Sequence, residues 1–389
     1  MQATEWHITP SPRRALVAAR RMVAPRILAL ATQGHGGDDE SRLRTLLKHV
    51  PAEFFPFDWS HKRKSFLRLL RTLWRGQYRL VVMEGTGVAG GLALLVGRLL
   101  GGAAFVVSSG DAIAPFMGRQ RLLLKPLFGL YERMLYRWSA GVIGWTPYLV
   151  GRALSFGAPR AMTAAGWAPF ARTPAELASA RTRIRGKLGI GTDELVVGIA
   201  GSLAWTKRGG YCYGSELVRA IARVKRFDAR ALIVGDGDGR ARLEKLAGED
   251  LGRRVMMTGR VPRHRLPDYL AAMDVASLPQ SVDGVGSFRY TTKLSEYLAA
   301  GLPVVTGQIP LSYDLNDGWL WRLPGPNPWD ERYIQGLAEW ISRLTAADLA
   351  AKRSRVPREL PEFNRDRQIE RVTVFLGDLL AEKSGNGCR

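Results

Sequence analysis

Between Leu278 and Thr306 the sequence reads LPQSVDGVGSFRYTTKLSEYLAAGLPVVT. It sets a cation and a carboxylate at the spacing that nucleotide recognition needs. A helix starts at Thr291 or Thr292, whose hydroxyl is suited to cap free amides. Lys293 and Glu296 follow in its first turn, three apart, and share a face. Gly301 stops the helix, Pro303 punctuates, and Val304-Val305 open a short buried strand. A glycine-rich loop feeding a helix N-terminus presents N–H groups to an anion, normally a phosphate. A carboxylate just inside that helix can take the two hydroxyls of a ribose, so the segment predicts binding of a nucleotide diphosphate. The plain alternative is an α/β helix whose Lys293 and Glu296 form a solvated pair.

The elements that must position these residues alternate. Arg26 to Thr32 is an apolar strand running into the glycine loop Gly34-His35-Gly36-Gly37. Ser41 to His49 has helical spacing, and a strand is expected near Ala52 to Phe57. Ser65 to Arg75 reads as an amphipathic helix, with Phe66, Leu69, Leu70 and Leu73 on one side and Arg68, Arg71 and Arg75 on the other. Strands at Leu80–Glu84, Ala104–Ser108 and Gly141–Trp145 alternate with helices at Val88–Leu100 and Leu122–Trp138. The pattern restarts at Val196–Gly201 and runs through strands at Ala231, Val255 and Val275. Such alternation predicts an α/β protein of two Rossmann-like domains, each with a parallel sheet, facing a central cleft. The expected layout is a basic arm over 1–24, an acceptor domain over 25–170 and a donor domain over 171–360. The helix of 361–389 is expected to cross back to the first domain.

Thr292-Lys293-Leu294-Ser295-Glu296 through Gly301-Leu302-Pro303-Val304-Val305 resembles the donor-site segment of the family 4-like glycosyltransferases (glycosyl transferases group 1), which have the GT-B fold. The resemblance covers most of the second half. It implies sugar transfer from a nucleotide-sugar donor to a glycan or lipid-linked acceptor, with retained configuration and no metal or other cofactor. Gly201 and Ser202 stand where the family has Gly-Arg, and Lys207 stands at its clamp lysine, followed by Arg208. Either cation would steady the departing diphosphate. Val234 to Arg240 resembles the family's glycine turn, and Arg260-Val261 the backbone facing the nucleobase. Gly36 and Gly37 match the loop that approaches the donor phosphates from the acceptor domain. The resemblance thus places Gly36, Gly37, Gly201, Ser202, Arg260, Val261, Thr292, Lys293 and Glu296 on the donor, and Lys207, Arg208 and Asp111 at the chemistry.

Two departures matter. The family's first glutamate falls on Phe288, and the nearest acid is Asp283, in a loop long enough to swing inward. A histidine often found after the fourth strand is replaced by Ser108-Ser109-Gly110-Asp111. Asp111 reads equally as a base, as a holder of a sugar hydroxyl, or as an N-cap. These losses admit a rival reading, a catalytically silent homologue acting as a partner or scaffold. A second rival is an NAD-dependent enzyme, because Gly85-Thr86-Gly87-Val88-Ala89-Gly90 spells GxGxxG after a strand. Tight helix–strand packing explains those glycines as well.

Composition bounds the rest. The chain has 389 residues and 46% hydrophobic residues, enough for two full cores. Cys212 and Cys388 form no disulfide framework, and the five histidines show no metal-ligand spacing. No span is long and apolar enough for a membrane helix, and arginines interrupt residues 1–24 as a signal peptide. The expected location is the cytoplasm, at the inner face of the membrane where lipid is engaged. A net charge of +22, dense in the first half, suits an anionic membrane surface. Its alternative is a compositional habit for arginine. No motif for nucleic acid accompanies it.

Overall fold

The computed structural model describes residues 27–75, 78–119, 121–206, 209–357 and 359–385. The expected arm over 1–24 lies outside them. The chain builds two parallel six-stranded sheets one after the other.

In the first, β1 (Ile27–Ala31), β2 (Ala52–Phe54), β3 (Leu80–Glu84), β4 (Ala104–Ser109), β5 (Gly141–Gly144) and β6 (Ala161–Thr163) lie in the order β2-β1-β3-β4-β5-β6. The helices between them are α1 (Asp38–Leu46), α2 (Lys62–Trp74), α3 (Val88–Leu99), α4 (Ile113–Gly118), α5 (Lys125–Trp138) and α6 (Pro147–Ser155). The strands read as continuous apolar runs because both faces are covered, and β1 and β3 are buried at every position. β2 ends at Phe54 rather than Phe57, since Pro56 has no N–H to give a ladder. α1 starts three residues earlier than expected. Asp38, Asp39 and Glu40 form its first turn, where carboxylates meet the positive end of the helix dipole.

The second sheet runs β12-β11-β10-β7-β8-β9. Its strands are β7 (Leu195–Ala200), β8 (Ala229–Val234), β9 (Val255–Met257), β10 (Val275–Leu278), β11 (Val304–Thr306) and β12 (Leu320–Arg322). α7 (Pro174–Leu188) precedes it, opened by a Thr173/Glu176 capping box and closed by Gly189. α8 (Ser215–Ile221), α9 (Arg240–Ala247), α10 (Leu266–Ala271) and α11 (Thr292–Ala299) connect the strands. α12 (Leu311–Asp314), α13 (Glu331–Arg343), α14 (Ala346–Arg353) and α15 (Arg365–Gly385) follow. α15 sends Val372, Leu376 and Leu379 into the core beneath the first sheet, beside Leu43 and Leu46 of α1.

In each sheet the strand order reverses beside the first strand, where loops from neighbouring strands part and leave a crevice at their carboxyl ends. β1 lies between β2 and β3, and β7 lies between β10 and β8. The GxGxxG segment follows β3, inside the sheet. A Cβ at Gly87 would lie 2.5 Å from Thr32 Cβ, and one at Gly90 2.6 Å from Thr32 Cγ2. Thr32 Oγ1 also accepts the Gly87 N–H at 3.0 Å. These glycines serve helix–strand packing.

Candidate active site in the interdomain cleft

The second-domain wall is built from strand ends. β10 stops at Leu278, a loop carries the chain to Thr291, and α11 begins. Thr291 is the N-cap by position, but its side chain makes no capping hydrogen bond. Its Oγ1 is instead buried without a partner among the described residues. Lys293 lies across the end of β7. A Cβ on Gly201 would come within 2.4 Å of Lys293 Cε, and Gly201 has φ +155°, a backbone that glycine tolerates best. The Lys293 ammonium sits 4.6 Å from the centre of the Tyr213 ring, a cation–π distance. Glu296 is 8% exposed and makes no side-chain hydrogen bond to a described residue. Burial raises its pKa, while Lys293 and then Arg263 pull it down.

Beneath Lys293 a buried carboxylate fixes the supporting loop. Glu216 accepts the Tyr211 hydroxyl at 2.9 Å and the Gly214 N–H at 3.1 Å. Burial pushes its pKa up to about 7, against the pull of these hydrogen bonds. Tyr213 stands between those two contacts and takes a further hydrogen bond from Gln280 at 3.2 Å.

The first-domain wall is acidic. Glu84, at the end of β3, pairs with the buried Arg42 at 2.6 Å and accepts the Trp145 indole N–H at 3.1 Å. Arg42 stacks over Trp145 at 4.1 Å and donates to the Ala164 carbonyl at 2.6 Å. Asp39, in the first turn of α1, makes no hydrogen bond to a described residue. Its pKa is raised to about 6, first by burial and then by Glu84, with Arg42 opposing. Asp111 follows β4.

These walls enclose a cavity of about 230 Å³. Asp39, Glu84 and Asp111 line it from one side, and Tyr213, Arg289, Thr292 and Lys293 from the other. A more open hollow of about 420 Å³, between Gly36, Gly37, Glu40, Arg44 and Lys48, is lined by first-domain residues alone. The closed cleft is latched by pairs that cross it. Arg289 meets Asp111 at 2.5 Å, Arg119 meets Asp283 at 2.8 Å, and Arg263 meets Asp38 at 2.9 Å. The Thr146 hydroxyl donates to the Phe288 carbonyl at 2.9 Å.

The cavity thus brings together three expected site residues, Asp111, Thr292 and Lys293. Asp111 is not the N-cap of α4, a place held by Ala112, and its carboxylate is occupied by Arg289. Gly201 abuts Lys293, and Ser202 is exposed beside it. Arg260 is exposed on the loop after β9, and Val261 packs on the second-domain core. Gly36 departs from expectation: its N–H already donates to Glu40 at 2.7 Å, and Asp38 and Asp39 follow Gly37. Three carboxylates at that helix start repel the anion that the glycine loop alone would attract. Asp283 does not swing inward. Against the opposing effect of burial, the Gly286 N–H, Arg119 and the Val285 N–H hold it outside and lower its pKa to about 2. Lys207 and Arg208 lie outside the described residues.

Sequence reasoning missed Asp39, Glu84, Trp145, Tyr213 and Arg289. Arg289 was within reach, two residues before the helix cap in the segment already singled out. The others stand apart along the chain and meet only through the sheets.

Residues 194–327 match the family model of glycosyl transferases group 1. No curated protein matches the chain in sequence. Among solved structures, Anabaena Alr3699/HepE in complex with UDP-glucose is 18% identical, with 90% of this chain and 99% of that one covered at a TM-score of 0.64. Sucrose-phosphate synthase from Thermosynechococcus elongatus is 16% identical, with 92% and 100% covered at 0.68. WaaG, a glycosyltransferase involved in lipopolysaccharide biosynthesis, is 14% identical, with 89% and 99% covered at 0.63. The chain therefore has the GT-B fold, and its second domain is similar over residues 194–327 to glycosyl transferases group 1.

Proposed function

We propose that the protein moves a sugar from a nucleotide-diphosphate donor, with retention, to a glycan or lipid-linked acceptor. The observation that carries this reading is the cavity with Lys293 and the start of α11 on one wall and carboxylates on the other. On the donor side, Lys293 and the α11 amides face the diphosphate. Lys207 or Arg208 supplies a further cation, and Glu296 holds the ribose. As the glycosidic bond to phosphate breaks, charge gathers on the leaving oxygen, and a fixed ammonium stabilises it most at that moment. No metal is assigned a part.

On the other side, Phe288 leaves the second domain without its usual carboxylate, and Arg119 holds Asp283 aside. Asp39 stands opposite with a pKa of about 6, ionised at neutral pH yet basic enough to accept a proton from an acceptor hydroxyl. Glu84 and Asp111 are tied to arginines and shape the pocket instead.

UDP and UDP-glucose, the ligands of the HepE complexes, are the first donors to try. Calorimetric titration with UDP, then with NAD, tests the binding reading. UDP binding that Lys293→Ala weakens supports it. NAD binding without UDP binding overturns it.

A further inference from the structure

One side of the first domain is used by neither wall of the cleft. α2, α3 and α5 lie side by side on one face of the sheet, with α3 in the middle. Gly97 of α3 lets Leu73 of α2 close in, and Gly91 lets Tyr131 of α5 do the same: a Cβ at these glycines would meet them at 2.8 and 1.9 Å. The inward side chains, including Leu69, Leu73 and Leu135, form the core. The apolar stripe of α2, Phe66, Leu69, Leu70 and Leu73, therefore packs against this core. A different apolar set points outward: Leu67 and Trp74 on α2, then Leu92 and Leu99 on α3 and Leu100 just after it. The 3₁₀ turn Leu122–Leu124 and the start of α5 add the rest, Leu123 at 94% exposure and Leu127 at 62%.

The charge on this side has one sign. Lys62, Arg63, Lys64, Arg68, Arg71 and Arg75 lie along α2, and Arg98 on α3. Arg121 and Lys125 bracket the leucine turn, and Arg133 and Arg137 follow on α5. From Lys62 to Trp138 the carboxylates are Glu84, Asp111 and Glu132. Each is already committed to an internal arginine: Arg42, Arg289 and Arg152. The outward side of this layer therefore shows cations and leucines with no acid among them.

We propose that this side docks on an anionic phospholipid surface, with the Leu122–Leu124 turn and the first turn of α5 entering the headgroup layer. Charge complementarity selects that occupant. A second copy of the chain would bring the same cations and be repelled. A bilayer offers phosphates to the arginines and acyl chains to the leucines at once. A single exposed turn of leucine is a wedge rather than a groove, which suits insertion and not a pocket for a peptide. Its place also fits. Arg119, just before the turn, hydrogen-bonds Ser281 and Asp283 of the second domain, so this side borders the mouth of the cleft. The inference deepens the reading above, in which the acceptor is lipid-linked, and rests on it for the purpose of the docking but not for the docking itself.

The test is sedimentation of the full chain with phosphatidylcholine vesicles, with and without phosphatidylglycerol, at low and high salt. Recovery is expected with the anionic vesicles alone, falling as salt rises because the contacts act within a Debye length. Leu123→Glu with Leu127→Glu is expected to cut recovery about tenfold or more by adding carboxylates to an anionic surface. Both positions are exposed, so UDP affinity should stay unchanged and report an intact fold. No recovery of the unaltered chain at low salt overturns the proposal. Undiminished recovery of the double variant overturns the leucine turn as the docking element. Dimers that form without vesicles and are lost in the variant overturn the lipid in favour of a second copy. Vesicle binding without UDP binding would sink the transfer reading and leave this one standing.

Discussion

The two domains share one plan, a parallel six-stranded sheet with a crevice at its carboxyl ends, yet they furnish the cleft differently. The second domain draws its wall largely from one continuous stretch. Arg289, Tyr290, Thr291, Thr292 and Lys293 all line the cavity from a single loop–helix junction. The first domain assembles its wall from four strand ends: Asp39 after β1, Glu84 on β3, Asp111 after β4 and Trp145 after β5. The second wall supplies a cation and helix amides, and the first supplies carboxylates. A continuous site reads out as a motif, whereas a dispersed one exists only once the sheet has ordered its strands.

If the walls divide the chemistry in this way, removing the key group from each should fail differently. The largest effect is expected from Lys293→Ala. The ammonium faces the charge that grows during transfer, and loss of one such preorganised group costs about 10²–10³ in rate. Steady-state transfer assays check it. A rise in KM with kcat unchanged would mean that Lys293 binds donor and transition state alike.

Asp39→Asn tests the opposite wall. About tenfold to hundredfold loss of transfer at neutral pH is expected, with donor affinity kept. The pH profile carries the sign. Ionised Asp39 is the active form, so the rate of the unaltered enzyme should fall as pH drops through about 6, and Asp39→Asn should lack that limb. Stability should move the other way. A carboxylate whose pKa is raised on folding favours the folded state while protonated, and that contribution fades as pH rises from the ordinary carboxylate value through about 6. Asp39→Asn should therefore unfold later than the parent at pH 8, by about 1–2 kcal/mol after allowance for partial exposure, and show no advantage near pH 3. Thermal unfolding at the two pH values decides it.

The same contrast explains what was legible in the sequence. β1, β3 and β7 read as buried strands from their unbroken apolar runs. The junction at Thr292-Lys293 was visible because its residues are neighbours. Asp39 was not, because two adjacent carboxylates after Gly37 look like a favourable first helical turn, which they also are. Its raised pKa comes first from burial and then from Glu84, brought beside it by the pairing of β1 with β3. The Thr291 cap misled for a related reason. A threonine before a helix normally satisfies an amide, but here its hydroxyl is left free at the cavity wall. Asp111 and Asp283 looked like free acids because their arginines come from the other domain.

Glu296→Ala sharpens the second-domain half. A lost charge-assisted hydrogen bond costs about 1.5–3 kcal/mol, so donor affinity should weaken roughly tenfold to hundredfold. The fold should hold, because the carboxylate makes no hydrogen bond to a described residue and burial already disfavours its charge. Calorimetry with UDP measures it, and unchanged affinity in the folded variant would remove Glu296 from the ribose.

The smallest effect is expected where the walls touch rather than where they differ. Arg119 and Asp283 form a pair 36% and 39% exposed, at the mouth of the cleft. Pairs this exposed are screened and typically contribute about 0.2–1 kcal/mol. Arg119→Ala should therefore shift the closed cleft toward open by about fivefold at most, and the change should shrink as salt rises. It should also release Asp283, whose carboxylate then rests on the Val285 and Gly286 amides alone. Its pKa should climb from about 2 toward the ordinary carboxylate range while staying below it. Carboxyl-carbon NMR of Asp283 follows that climb, and small-angle scattering follows the opening. A loss of activity as large as that of Lys293→Ala would show that the latch, and not the division between a cationic and an acidic wall, governs the reaction.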